Sequence, residues 1–163
     1  MKLKPYIHSP VDFVPREYPL ITSKYGKRIL AGKENFHDGL DFANPLHDCK
    51  DRLNPIDTNV YAIYPGRVIY DYDKYNDLLR FQNRLDSAGN MVLVEIELNT
   101  IKYYVQYLHL VKNFVQNNQI IQAGFCLGVY GDVGFSYGPH LHLGIITYDW
   151  SQKLDPTPIM FDT

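Results

Sequence analysis

Cysteine is nearly absent from this sequence of 163 residues: Cys49 and Cys126 stand far apart and form no CxxC pair. Neither a disulfide framework nor a cysteine-ligated zinc site is therefore encoded, and Cys126, within AGFCLGVY, reads as a small buried core residue. An excess of charge of either sign is missing too. Sixteen Lys and Arg against 18 Asp and Glu leave a net charge of −2, which supplies no electrostatic case for nucleic acid or an anionic surface. No apolar run is long enough to insert into a membrane. Pro5, Pro10, Pro15 and Pro19 interrupt the first twenty residues, and no signal peptide is readable there. Repeats and low-complexity segments are lacking, which excludes solenoids and arrays. A chain without a leader suits the cytoplasm, export by another route or carriage by a virion, or a fragment cut from a longer protein.

What is present describes one globular domain. Apolar residues make up 45% and charged residues 21%, and the length suffices to bury a substantial core. Residues 1–20, with a proline about every fifth position, read as an extended arm or linker rather than a packed element, and 21–163 as the domain. Six apolar runs in the domain read as strands: NVYAIY, RVIYDY, NMVLVEIEL, IKYYVQYLHL, FCLGVY and HLHLGIITY. Pro65-Gly66 and Asn99-Thr100 supply turns between them. Short connections between neighbouring strands imply a mainly β fold with an antiparallel sheet. One segment departs from this: residues 74–89 place Leu78, Phe81 and Leu85 at helical spacing and end on Gly89, which predicts an amphipathic helical insertion on the sheet or its rim. Fourteen tyrosines suit either sheet faces or a groove for an extended polymer.

The histidines carry the chemistry. His140 and His142, in GPHLHLGI, are two apart, so in a strand both imidazoles project from one face. His37 and Asp41, in FHDGLDF, flank Gly39, which permits a bend that brings imidazole and carboxylate together. His109 ends the tyrosine-rich run in QYLHL. Imidazoles with a single carboxylate suit zinc, and the absence of cysteine makes the site catalytic rather than structural. Such a site uses three protein ligands. Two of the five residues are then free to pass protons at neutral pH. Spacing alone does not say which of His109, His140 and His142 is a ligand. His8 and His47, in Pro- and Asp-rich loops, read as solvated.

Beyond the histidines, the chain resembles the lysostaphin-type (LytM, M23) zinc endopeptidases. ITSKYGKR is similar to that family's TSxFGxR, FHDGLDFANP to HxGxDxAxP, VYAIYPGRV to VYAxxxGxV, YLHL to YxHL, and GPHLHLGI to GPHLHFE. These segments run in the family's order from about residue 20 to 158. The resemblance implies an antiparallel sheet forming a substrate groove. It implies one Zn2+ per chain on His37, Asp41 and His142, with His109 and His140 as the uncoordinated catalytic pair. It also implies peptide cross-bridges or stem peptides of bacterial peptidoglycan as substrate, and action at the bacterial cell wall. Departures are Gly144 where the family carries glutamate, Tyr137 in GFSYGPH, a longer loop over LHDCKDRLNPIDTN, and the insertion at 74–89. No counterpart of an inhibitory pro-segment is found in the first twenty residues, so the chain is expected to be active as it stands, as a phage-borne lytic enzyme or a wall-remodelling fragment.

Two other readings compete. A cupin-type metal oxygenase also pairs HxH with a further histidine, but there the HxH comes first, and His37 and Asp41 go unexplained. A non-catalytic wall-binding or hydrolase-activating domain of the same fold typically loses ligands, whereas all five positions are filled here.

Overall fold

A computed structural model describes residues 1–12, 20–43, 58–73, 88–131 and 138–162. In chain order the elements are β1 (Leu20–Ser23), β2 (Gly26–Leu30), β3 (Lys33–His37), β4 (Leu40–Ala43), β5 (Thr58–Tyr61) and β6 (Gly66–Tyr72). Then follow β7 (Asn90–Leu98), β8 (Ile101–Asn113), β9 (Ile120–Ile121), β10 (Cys126–Tyr130), β11 (Leu141–Thr147), β12 (Lys153–Leu154) and a single helical turn, α1 (Thr157–Met160). The six strands read from apolar runs are all present. The helix expected over 74–89 lies outside the described residues, apart from Ala88 and Gly89.

Among the described residues, ten strands form one sheet. Its main path is β1-β4-β11-β8-β7-β6-β9; β10 pairs with β5 and β8, and β12 pairs with β11. Strands β2 and β3 form a separate hairpin. Every pairing is antiparallel. Asn99 and Thr100, both at positive φ (51° and 67°), close the β7–β8 hairpin in the two-residue turn whose twist matches its flanking strands.

Period-2 alternation divides the sheet into two faces. On one, Val92, Val94 and Ile96 of β7, Val105 and Tyr107 of β8, and Leu141, Leu143 and Ile145 of β11 form the main core. The other face carries His142, Gly144 and Ile146 of β11, with a small apolar cluster of Leu93, Tyr104 and Ile146. A one-residue slip of β11 would exchange these sets. Each displaced aliphatic side chain would lose about 1.5–3 kcal/mol of burial, so the apolar neighbours of His142 fix the side to which it points. Tyr107, fully buried, also ties the core to the β5–β6 turn: its hydroxyl accepts the Ile63 backbone N–H at 3.0 Å.

Two expectations need correction. Residues 1–12 are packed rather than a free arm: Leu3 bridges to Phe161 and Val11 to Val60, and Ile7 and Val11 are buried in the main core. Prolines keep such a segment out of a regular ladder, yet its apolar residues still dock. Cys126 is half-buried rather than a core residue, with its thiol facing the Gly128 carbonyl at 3.6 Å. Strands β1 to β4 were not legible, because GKRIL and KENFH show no apolar alternation; four of the five residues of β3 are exposed.

Candidate metal centre

Three short elements deliver the site. His37 is the last residue of β3 and Asp41 the second of β4, with a tight turn between them. His142, the second residue of β11, lies directly opposite Asp41 in the β4–β11 ladder. Gly39 makes this approach possible: a Cβ there would overlap the Leu143 carbonyl oxygen and lie 2.6 Å from His142 Nε2.

The three side chains converge through one atom each. His37 Nε2 lies 3.0 Å from Asp41 Oδ1 and 3.1 Å from His142 Nδ1, and His142 Nδ1 lies 3.0 Å from Asp41 Oδ1. Their outer atoms set the tautomers. His37 Nδ1 is 2.8 Å from the Lys24 carbonyl, to which it must donate, and His142 Nε2 faces Asp38 Oδ1 at 3.3 Å. Each imidazole thus turns its remaining lone pair inward. Three acceptor atoms facing one another repel unless a cation lies among them. Tetrahedral zinc with bonds of about 2.0–2.1 Å separates its ligand atoms by about 3.3 Å, close to the spacing found. The donor set therefore fits a metal ion of that kind.

The surroundings reinforce the need for positive charge. For Asp41, burial opposes ionisation, but the adjoining imidazoles of His142, His37 and His140 outweigh it and hold the carboxyl well below the usual range. At Asp38 the hydrogen bond from His142 dominates, burial opposes it, and Lys153 adds to the lowering; this carboxyl too lies well below its usual range. Burial disfavours charge on His142, yet Asp38 and Asp41 outweigh it and raise its pKa. Two ionised carboxylates thus face this spot. Arg28 offsets part of that charge from the side: Nη1 donates to Ser23 Oγ at 2.7 Å and reaches Asp41 Oδ2 at 3.4 Å. Lys153, on β12, pairs with Asp38 Oδ2.

His109 and His140 stand next to the trio. His140 Nδ1 lies 2.8 Å from the Gly138 carbonyl, so its Nε2 carries the lone pair, 3.6 Å from Asp41 Oδ1. The rings of His109 and His140 are 4.8 Å apart. His109 is buried and sits at a bulge with φ +64°, where its N–H leaves the ladder to bond Ala88. A non-glycine residue in this region costs about 1–3 kcal/mol. The bulge re-aims the imidazole toward the site. A cavity of about 450 Å³ opens over all five residues, walled by Ile29 and Leu30 of the β2–β3 hairpin.

All five residues singled out from the sequence thus meet in one place. His8 is exposed and far from it in the fold, against Tyr61, and His47 lies outside the described residues. Sequence reasoning missed Asp38, Lys153 and Arg28. Asp38 had one local signal, an acidic residue adjoining His37; the other two had none.

A family model, Peptidase family M23, matches residues 35–156. The chain belongs to peptidase family M23. Among its M23 relatives, the peptidoglycan DD-endopeptidase ShyB of Vibrio cholerae is 31% identical over 140 residues, covering 84% of this chain and 26% of that protein. The chain spans about a quarter of the length of the curated relatives it matches. The catalytic domain of the antimicrobial peptidase lysostaphin from Staphylococcus simulans superposes with a TM-score of 0.62 at 25% identity, over 86% of this chain and 91% of that one. A zinc-containing peptidase from Vibrio cholerae superposes at 0.63 with 28% identity, over 94% of this chain and 39% of that one. No helix among the described residues is long and apolar enough to cross a membrane.

Proposed function

We propose that this M23 domain is a zinc-dependent endopeptidase that hydrolyses cross-bridge or stem peptides of bacterial peptidoglycan and acts at the cell wall. The observation that carries the reading is the convergence of three inward lone pairs, on His37, Asp41 and His142, beside two further imidazoles. The DD-endopeptidases among its relatives, the lysostaphin catalytic domain and the zinc-containing peptidase support the substrate class and the metal. Zinc held by His37, Asp41 and His142 would supply Lewis acidity toward the scissile carbonyl and a water.

The chain's own residues do the rest. Asp38 and the Lys24 carbonyl fix the two ligand imidazoles, and Arg28 holds the second oxygen of Asp41. His140 turns its Nε2 to the site, placed to take a proton from water. His109, at its side, is placed to steady the tetrahedral intermediate and to return a proton to the leaving amine. The exposed walls of the cavity leave room for an extended peptide.

The test is digestion of purified peptidoglycans of different cross-link chemistry by the zinc-loaded protein, with new amino termini identified by mass spectrometry. Cleavage within the peptide moiety, with one zinc per chain lost in His142→Ala, is the expected result. A zinc-loaded protein that releases no new amino termini from any wall, or undiminished zinc in His142→Ala, would overturn the reading.

A further inference from the structure

The sheet face that carries His142 continues well past the metal centre. Gly144 and Ile146 follow His142 on the same side of β11, opposite Gln106 and Tyr104 of β8. Four residues of extended chain carry this surface about 13 Å from His142. There Tyr104, itself 8% exposed, is flanked by two rings. Trp150 stacks on it with centroids 4.4 Å apart and planes 25° from parallel, and Tyr148 at 5.3 Å and 18°. Those two rings are 54% and 48% exposed.

The turn between β11 and β12 holds them in place. Asp149, between the two, accepts hydrogen bonds from Thr147 Oγ1 at 2.7 Å and from the Ser151 N–H and hydroxyl at 3.0 and 2.7 Å. Trp150 adopts φ +64°, a left-handed conformation that is strained for a non-glycine residue. A ring more than half exposed gives the core little in return for that strain. It does present a flat apolar surface that is already ordered and so loses little entropy on binding. Its border is polar: Lys102 Nζ lies 5.3 Å over the Tyr148 ring, and Asp149 and Ser151 lie in the same turn.

A pyranose ring has the matching chemistry, with a face of C–H bonds and an edge of hydroxyl and amide groups. We propose that Tyr148 and Trp150, stacked on the buried Tyr104, form a saccharide-binding platform on the sheet face that carries His142, which takes an N-acetylhexosamine ring of the glycan strand while the attached peptide reaches the site. This rests on the peptidoglycan reading above. The spacing fits, since four residues of extended peptide span about 13 Å.

Trp150 is the chain's single tryptophan, so its emission reports on the platform without any need for catalysis. Titrating the zinc-loaded protein with the tetramer of N-acetylglucosamine should give a saturable change in emission at millimolar concentrations. Tyr148→Ala should weaken that response at least ten-fold, and a sugar-free stem peptide should give none. On intact sacculi, Trp150→Ala should raise KM at least ten-fold relative to its effect on a sugar-free cross-linked peptide, with kcat and zinc content retained. No response to the oligosaccharide, an equal response to the peptide, or equal losses on both substrates would overturn the platform. If the protein cuts neither substrate, the peptidase reading fails while the titration still decides saccharide binding. Should Trp150→Ala not fold, the titrations of the unaltered and Tyr148→Ala proteins decide alone.

Discussion

Adding one methyl group at Gly39 tests whether the turn between His37 and Asp41 is built around close approach. The new Cβ would overlap the Leu143 carbonyl oxygen and lie 2.6 Å from His142 Nε2. Relief requires β4 and β11 to separate by several tenths of an ångström to about 1 Å, because one of the two neighbours is backbone. That shift acts on the rungs pairing Leu40 with Leu143 and Asp41 with His142. Overpacking of this kind costs about 1–3 kcal/mol, which for a domain of this size lowers Tm by about 2–12 °C. Displacing His142 from Asp38 and Asp41 should weaken zinc by about 10–100-fold, as loss of an orienting partner does. Gly144→Ala is the control: its Cβ would meet only the flexible end of Gln106, at 3.2 Å, and the Asp38 carbonyl at 3.8 Å. That variant should melt within about 1 °C of the parent or above it, since alanine orders at lower entropic cost than glycine. Thermal melts and competition with a zinc chelator measure both effects. A Gly39→Ala protein with parental Tm and zinc affinity would refute the argument.

Three further outcomes are expected. Asp38→Asn removes the carboxylate facing His142 Nε2 and should weaken zinc about 10–100-fold while leaving the strands in place; unchanged affinity in the chelator assay would remove Asp38 from the site. His109→Ala and His140→Ala should each keep one zinc and lose about 100- to 10,000-fold in peptidase rate, read by metal analysis and cleavage kinetics on the same samples. Tyr107→Phe strands the buried Ile63 N–H that its hydroxyl accepts and should cost about 1–3 kcal/mol, seen as a lower urea midpoint with unaltered zinc content.

Local pattern was enough for much of this protein. The alternation of Leu141, Leu143 and Ile145 with His142 encodes both the strand and the side from which the imidazole projects, because a two-residue period is a property of extended chain. The same reasoning found the β7–β8 hairpin from its turn and flanking aliphatics. Residue type alone suggested a metal, since clustered imidazole and carboxylate without cysteine has few other uses.

Only the tertiary structure decided what lies beside what. His37 and His142 are 105 residues apart, and pairing of β4 with β11, set by burial of Leu40, Phe42, Leu141 and Leu143, puts their nitrogens 3.1 Å apart. Asp38, Arg28 and Lys153 acquire their roles through the same pairings: their neighbours in sequence say nothing of the carboxylate or imidazole that each meets. Strands β1 to β4 escaped notice for a related reason. The hairpin β2–β3 is largely exposed and pairs only with itself, so no run of buried apolar residues marks it. Docking of residues 1–12 is likewise non-local, fixed by Phe161 near the end of the chain and by Val60, distant in sequence from Val11. Sequence period specifies which face a residue takes; long-range packing specifies its partner on that face.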